Sequence, residues 1–264
     1  MTFTTQIKEE ITKEENNNIE DLTSLCTYLK FNATLEEDKM TVMVVNASVA
    51  RWIFKLLKTN YNVLIKLTTR TMKRFKARNL YILEVKEKLD LIYKDIDNIF
   101  KEISTSSDEE KKAFLKGMFL ACGSINDPKK NQYHLEFLVK EEEDAKLIDD
   151  LLNSLKIKSK VLKRDREYMV YVKSSENISD FIKYLGAFNA LFYFEDIRIY
   201  KDHKNMVNRL NNCEQANVER TLKSSKVILD NIKYLEDNDL LMLLDDRSKE
   251  IIEYKKKYPD TSLG

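Results

Sequence analysis

Between Lys55 and Leu83 the sequence carries Lys55, Lys58, Lys66, Arg70, Lys73, Arg74, Lys76 and Arg78 and no acidic residue. A second run, Lys156 to Lys173, sets seven basic residues against Asp165 and Glu167. Ordinary surfaces intersperse the two signs. A one-sign run is therefore either solvated charge in a lysine-rich chain or a footprint for a polyanion whose phosphates it would neutralise. A third suggestive stretch is FLKGMFLACGSIND, Phe114 to Asp127, which holds two of the four glycines in the chain. Gly117 sits inside an apolar helical pattern, where glycine costs about 1 kcal/mol relative to alanine. That cost points to a packing glycine approached closely by another backbone. Gly123, at the end of the pattern, is expected to stop the helix in a left-handed conformation.

Metal and nucleophile chemistry is thinly supplied. Cys26, Cys122 and Cys213 are far apart, which suits neither a disulfide framework nor a paired-thiol zinc site. His134 and His203 are the only histidines, too few for a histidine-rich centre. Cys213 has no second cysteine near it and is expected to be structural. His134 alternates with apolar neighbours, as a satisfied or partly exposed histidine on a strand would. Asp127, Glu136 and Asp196 could each meet a stray cation, but no spacing pairs them. Trp52 lies on an apolar helical face and is expected in the core.

The elements that must position these residues repeat along the chain. Helical periodicity covers about Ile19 to Lys30, strand-like runs Ala33–Leu35 and Thr41–Asn46, and a helix Ala47 to Lys58. Val63–Thr69 and Leu80–Val85 are rich in β-formers and flank the basic loop, and a helix over about Leu89 to Ile103 closes the set. The order then restarts: helix Asp108 to Cys122 with Ser107 or Asp108 as cap, strands Ser124–Ile125 and Tyr133–Val139, helix Glu141 to Leu155, hairpin Ile157–Leu162 and Tyr168–Val172, and helix Ser175 to Leu185. Leu29 to Leu35 lies 90 residues before Phe119 to Ile125, and Tyr81 to Val85 lies 87 before Tyr168 to Val172. The reading is α+β with two tandem αββαββα units. Beyond Gly186, Phe188 to Ile199 is aromatic and apolar, Asn208 to Asn217 is polar, and Arg220 to Leu235 and Leu240 to Lys257 read as helices.

Composition bounds these readings. The 264 residues are 43% hydrophobic with 26 aromatics, which excludes disorder throughout, and allow one large domain or two to three small ones. Uncharged stretches, Met40 to Ala50 among them, reach at most eleven residues, short of the roughly 18 a membrane span needs. The N-terminus has no apolar core of a secretory signal, so a cytosolic chain is expected. The net charge of +1 says nothing about partners.

Heading a unit that occurs twice, Leu115 to Gly123 resembles the LAGLIDADG homing-endonuclease motif. The resemblance implies two such helices packed through small residues, Gly117 and Gly123 here, in a pseudo-two-fold saddle, with acidic residues at the helix ends holding metal. The corresponding positions are Asn32 and Cys122. Hard cations want carboxylate oxygens, so these positions read as vestigial, with no catalytic residue and no metal. Phe3 to Ile11, Phe114 to Pro128, Tyr133 to Glu136, Gly186-Ala187, Phe194 to Arg198 and the Asn208-Arg209, Asn211-Asn212-Cys213, Ala216-Asn217 block are together similar to the WhiA family of bacterial DNA-binding proteins.

That resemblance implies a degenerate LAGLIDADG domain joined to a C-terminal helix-turn-helix domain, and a role in transcription control, cell division and chromosome segregation. It implies double-stranded DNA as partner, no cofactor, no membrane, a cytoplasmic, nucleoid-associated location, and partners in the division or transcription machinery left open. The expected division is 1–105 and 106–200 for the repeats, 201–219 as a linker, and 220–264 as the helical start of the helix-turn-helix domain, without its recognition helix. DNA-binding candidates are Lys66, Arg70, Lys73, Arg74, Lys76 and Arg78 in the first hairpin, and Lys158, Lys160, Lys163, Arg164 and Arg166 in the second. A residual metal-dependent endonuclease using other acids and a protein-interaction scaffold are the alternatives.

Overall fold

The computed structural model describes residues 2–14, 17–72, 78–130 and 132–259, the side chains of Met72 and Arg78 excepted. Two compact units result, Met1–Arg198 and Ile199–Gly264. The first opens with α1 (Phe3–Ile11), capped by the Thr2 side chain. The first repeat is α2 (Asn18–Asn32), β1 (Ala33–Leu35), β2 (Met40–Val44), α3 (Ala47–Tyr61), β3 (Ile65–Met72), β4 (Arg78–Val85) and α4 (Leu89–Glu102). The second is α5 (Asp108–Cys122), β5 (Gly123–Ile125), β6 (Leu135–Val139), α6 (Glu142–Ser154), β7 (Lys160–Lys163), β8 (Tyr168–Val172) and α7 (Ser175–Tyr184). Each repeat builds an antiparallel four-stranded sheet, in the orders β1-β2-β4-β3 and β5-β6-β8-β7. The two sheets are topological copies, and the α+β reading with tandem αββαββα units is what the chain adopts.

Local chemistry explains the boundaries. Ser107 and Glu110 form a reciprocal capping box at the start of α5, and Asp108, Glu109 and Glu110 sit where the helix dipole favours acids. Asn46 caps α3 through the N–H groups of Ser48 and Val49. In the sheets alternate residues are buried: Met40, Val42 and Val44 on β2, Leu135, Phe137 and Val139 on β6. These faces pack against the helices in one apolar core with Leu25, Leu29, Phe114, Met118, Phe119 and Trp52.

Four expectations change. Lys156 takes φ 64° and the Ile157 N–H donates to Leu152 O, so both residues close α6 and the strand begins at Lys160 instead of Ile157. Gly123 has φ −83° and ψ 148°, extended rather than left-handed, because α5 runs directly into β5. A Cβ there would lie 2.3 Å from Phe119 Cδ2 and 2.7 Å from Phe119 Cα. Residues 201–219, expected as a linker, lie within α8 (Phe188–Asp237), a helix of 50 residues. No glycine or proline falls in that span, and polar composition alone does not end a helix. Cys213, expected to be structural, is exposed on α8. The second unit continues with a 3-10 turn at Leu240–Leu243 and α9 (Asp246–Lys257). Its buried Lys255 ammonium donates to Ser225 Oγ at 2.7 Å.

Candidate nucleic-acid interface

The two repeats meet through α2 and α5. A Cβ on Gly117 would lie 2.3 Å from Ser24 O and 2.8 Å from Thr27 Cβ, so the two helix backbones approach as closely as glycine allows. The facing surface of α2 is small and polar: Thr23, Ser24 and Thr27 are buried. Their burial is tolerable because Ser24 Oγ donates to Glu20 O and Thr27 Oγ1 donates to Thr23 O, each satisfied within its own helix. Beside them the buried Lys116 ammonium pairs with Glu14 at 3.3 Å.

Both helices end on the residues that correspond to metal ligands in the resembled motif. Asn32 Nδ2 donates to Tyr28 OH, and Cys122 Sγ donates to Met118 O at 3.4 Å, so each polar head turns back onto its own helix. Burial pushes the Cys122 thiol up to about 12, the nearby Lys8 ammonium opposing, so it is a neutral thiol at neutral pH. Lys8 Nζ donates to Leu120 O at 3.1 Å and lies over the Phe119 ring. A neutral amide, a neutral thiol and an ammonium do not suit a hard divalent cation. Among the described residues no group of three or more His, Cys, Asp or Glu side chains converges elsewhere.

The described basic candidates fall on the edge hairpins of the two sheets. Lys66 and Arg70 lie on β3 and are exposed; Arg78 opens β4 opposite Met72. Lys73, Arg74 and Lys76 lie outside the described residues. In the copy, Lys160 and Lys163 lie on β7, Lys158 precedes it, and Arg164 and Arg166 form the turn, closed by Arg164 N–H donating to Glu167 O at 2.8 Å. All five are exposed. Since β3 and β7 hold the same place in their sheets, the structure puts the described candidates at two equivalent edges.

The fold also supplies partners that a linear reading of charge overlooks. Lys66 stands opposite Glu84 across the ladder and pairs with it at 3.0 Å, which holds that half-buried carboxyl below its ordinary range. The run without acids is thus not without acids in space. Arg164 is 3.8 Å from Glu167. On β6, the Glu136 carboxylate accepts from His134 Nε2 at 3.2 Å. The spacing of two along a strand put both on one face, and that was the signal available for joining them.

Comparison with known proteins gives three domain matches: the WhiA N-terminal LAGLIDADG-like domain over residues 19–99, the WhiA LAGLIDADG-like domain over residues 111–204 and the WhiA C-terminal HTH domain over residues 207–264. The chain is 36% identical over 276 residues to the probable cell division protein WhiA of Oceanobacillus iheyensis, spanning 100% of this chain and 88% of that protein. Against its counterpart in Bacillus cereus strain AH187 the identity is 37% over 278 residues, covering 100% and 87%. The crystal structure of full-length WhiA from Thermotoga maritima superposes with a TM-score of 0.67 at 21% identity, covering 100% of this chain and 89% of that one. That of an N-terminal LAGLIDADG domain of WhiA gives 0.56 at 22% identity, covering 70% and 92%. The two structures speak to the fold alone. The domain matches and the identity carried along the whole chain establish that it belongs to the WhiA family.

Proposed function

We propose that this chain is a DNA-binding regulator without nuclease activity, acting in cell division, chromosome segregation or transcription. The observation that carries the reading is the pair of exposed basic hairpins at equivalent edges of two copied sheets, Lys66 and Arg70 on one, Lys160, Lys163, Arg164 and Arg166 on the other. Spread over the two halves of a saddle, they would grip one duplex through its phosphates, with arginine able to reach guanine edges. Lys158 and Arg78, together with Lys73, Arg74 and Lys76, belong to the same proposed surface. The repeats over 1–105 and 106–200 form the grip, and residues 220–264 contribute the helical start of a helix-turn-helix domain, which supports a regulatory rather than a catalytic role. Relatives bearing the name of a probable cell division protein support the biological setting, and a nucleoid-associated location in the cytoplasm follows from it. No described helix is long and apolar enough to cross a membrane.

A salt series of duplex binding, with and without Mg²⁺, tests this. Affinity that falls steeply with salt and leaves the DNA intact is the expected result. Mg²⁺-dependent product would restore the nuclease reading, and no binding would leave a protein-interaction scaffold.

A further inference from the structure

Each sheet carries a polar row on the face opposite its buried apolar row, with Thr41 itself buried and Ser124 Oγ 3.4 Å from Thr4 Oγ1 of α1. In the first sheet the register sets Thr34 beside Thr41, Thr41 beside Glu84 and Glu84 beside Lys66. In the second it sets Ser124 beside Glu136, Glu136 beside Tyr171 and Tyr171 beside Lys160. Cross-strand partners share a face, and the adjacent rows Val42–Leu83 and Phe137–Val170 are the buried ones. Both polar rows therefore begin with a hydroxyl at one edge, end with an exposed lysine at the other, and hold a carboxylate between.

A carboxylate is the wrong charge for a surface that meets phosphates, so its compensation is informative. Glu84 is neutralised by Lys66 at 3.0 Å. Glu136 is held differently, because the register gives Lys160 to Tyr171. His134 Nε2 lies 3.2 Å from Glu136 Oε2, and the His134 ring stacks on Tyr171 with centroids 5.9 Å apart at 26°. Lys173 Nζ lies 5.1 Å over the other partner of that stack, Tyr171. The Glu136 side chain keeps 25% of its surface exposed, and one carboxylate offers about four acceptor sites. The next row on this face, Leu138, Met169 and Leu162, is apolar. An oriented acceptor beside an apolar row matches base edges better than phosphates.

We propose that Glu136, held by His134 whose ring stacks on Tyr171, reads a base edge in duplex DNA by accepting a hydrogen bond from a cytosine N4 amino group, while Lys160 holds a flanking phosphate. This rests on the reading that the chain binds duplex DNA. Carboxylates accept from cytosine N4 in the major groove, and a good base contact discriminates by roughly tenfold or more.

The test is selection of duplexes from a random pool by the full chain, its Glu136→Gln and Glu136→Ala variants and Lys160→Ala, with affinity for random duplex measured at one fixed salt. Wild type is expected to enrich a C·G pair at one position that Glu136→Ala no longer enriches and Glu136→Gln shifts toward adenine. Random-duplex affinity of both Glu136 variants should hold or rise, since a negative charge is removed, whereas Lys160→Ala should lower it without changing the preference. Placing N4-methylcytosine at the enriched position, which blocks the major-groove donor, should weaken wild type about tenfold and leave Glu136→Ala unaffected; this arm needs no variant to detect the contact. An identical enriched sequence in wild type and Glu136→Ala overturns the proposal, as does indifference of wild type to N4-methylcytosine. Failure of wild type to bind random duplex at all would overturn the DNA-binding reading with it, so the two failures are separable.

Discussion

The carbonyl oxygen of Ser24 stands where a side chain on Gly117 would go, 2.3 Å from the position of its Cβ. Two opposing terms act on a Gly117→Ala substitution. Helix propensity favours alanine by about 1 kcal/mol, whereas overpacking typically costs about 1 to 3 kcal/mol. Here the clash is with backbone held in a helix, not with the tip of a flexible chain, so the cost wins. Gly117→Ala is expected to lower stability by about 1 to 2 kcal/mol in urea melts, and Gly117→Val by more. A neutral or stabilised alanine variant would mean the two helices separate readily.

Glu10 caps a helix that begins 178 residues later in the chain. Its Oε1 accepts from the Asn189 N–H at 2.7 Å and its Oε2 from the Ala190 N–H at 3.1 Å, covering free donors at the start of α8 where the dipole also favours an anion. Glu10→Ala should cost about 1 kcal/mol, within the range of lost helix caps. Amide exchange at Asn189 and Ala190 should speed up in the variant while that at Ser24 and Thr27 stays slow.

These two contacts mark where the sequence is legible and where it is not. The repeat, the Ser107 cap and the strand Tyr168–Val172 rest on periodicity and short-range chemistry, which a single chain displays locally. By contrast α1 has its apolar residues at Phe3, Ile7 and Ile11 in helical spacing, yet what they bury against lies far away. Phe3 meets Tyr193 and Phe194, and Thr4 Oγ1 donates to Ile125 O at 2.8 Å. The Lys66–Glu84 pair likewise depends on strand register, which no run of charge in the sequence encodes. The continuity of α8 through its polar stretch was available from the absence of glycine and proline, but composition argued the other way.

Loss of the first hairpin's charge should show as a change of salt slope. Replacing Arg70, Lys73, Arg74, Lys76 and Arg78 by alanine is expected to weaken duplex binding and flatten log Kd against log salt by about 0.9 for every phosphate contact removed. Lys66→Ala alone should do less, because Glu84 already offsets it. A folded fivefold variant with the wild-type slope would move the DNA surface away from this hairpin.

The half-buried Lys8 gives stability a particular pH dependence. Burial holds its ammonium at about 8, against roughly 10.4 in an unfolded chain. Between those values the unfolded state binds more protons, so stability rises with pH and the contribution is lost as pH falls through about 8. Cys26 and Cys122 act in the opposite sense: burial pushes both to about 12, so the unfolded thiols ionise first and stability declines as pH climbs above their unfolded value. Urea midpoints should therefore be nearly flat up to about pH 8, rise slightly to about pH 9 as folded Lys8 loses its proton, and fall beyond as the unfolded thiols ionise. Lys8→Met should abolish the rise, and Cys122→Ala should reduce the fall.

Pure protein is expected not to linearise supercoiled plasmid in Mg²⁺ or Mn²⁺. Phosphodiester cleavage by two metal ions needs hard ligands that hold each cation beside the attacking and leaving oxygens. The helix end of the first repeat offers the Asn32 amide, engaged with Tyr28, and that of the second offers a thiol that stays protonated at neutral pH. Lys8 adds a positive charge beside the second. Restoring carboxylates with Asn32→Asp and Cys122→Asp should still leave the protein inert, since the new Asp at 122 would pair with the Lys8 ammonium before it met a cation. Adding Lys8→Met to that pair should raise Ca²⁺ affinity above that of the double variant in titration calorimetry. Linearisation by the wild-type chain, abolished on changing a single acid, would overturn the reading of both helix ends as metal-free; equal Ca²⁺ affinity in the double and triple variants would remove Lys8 from the explanation.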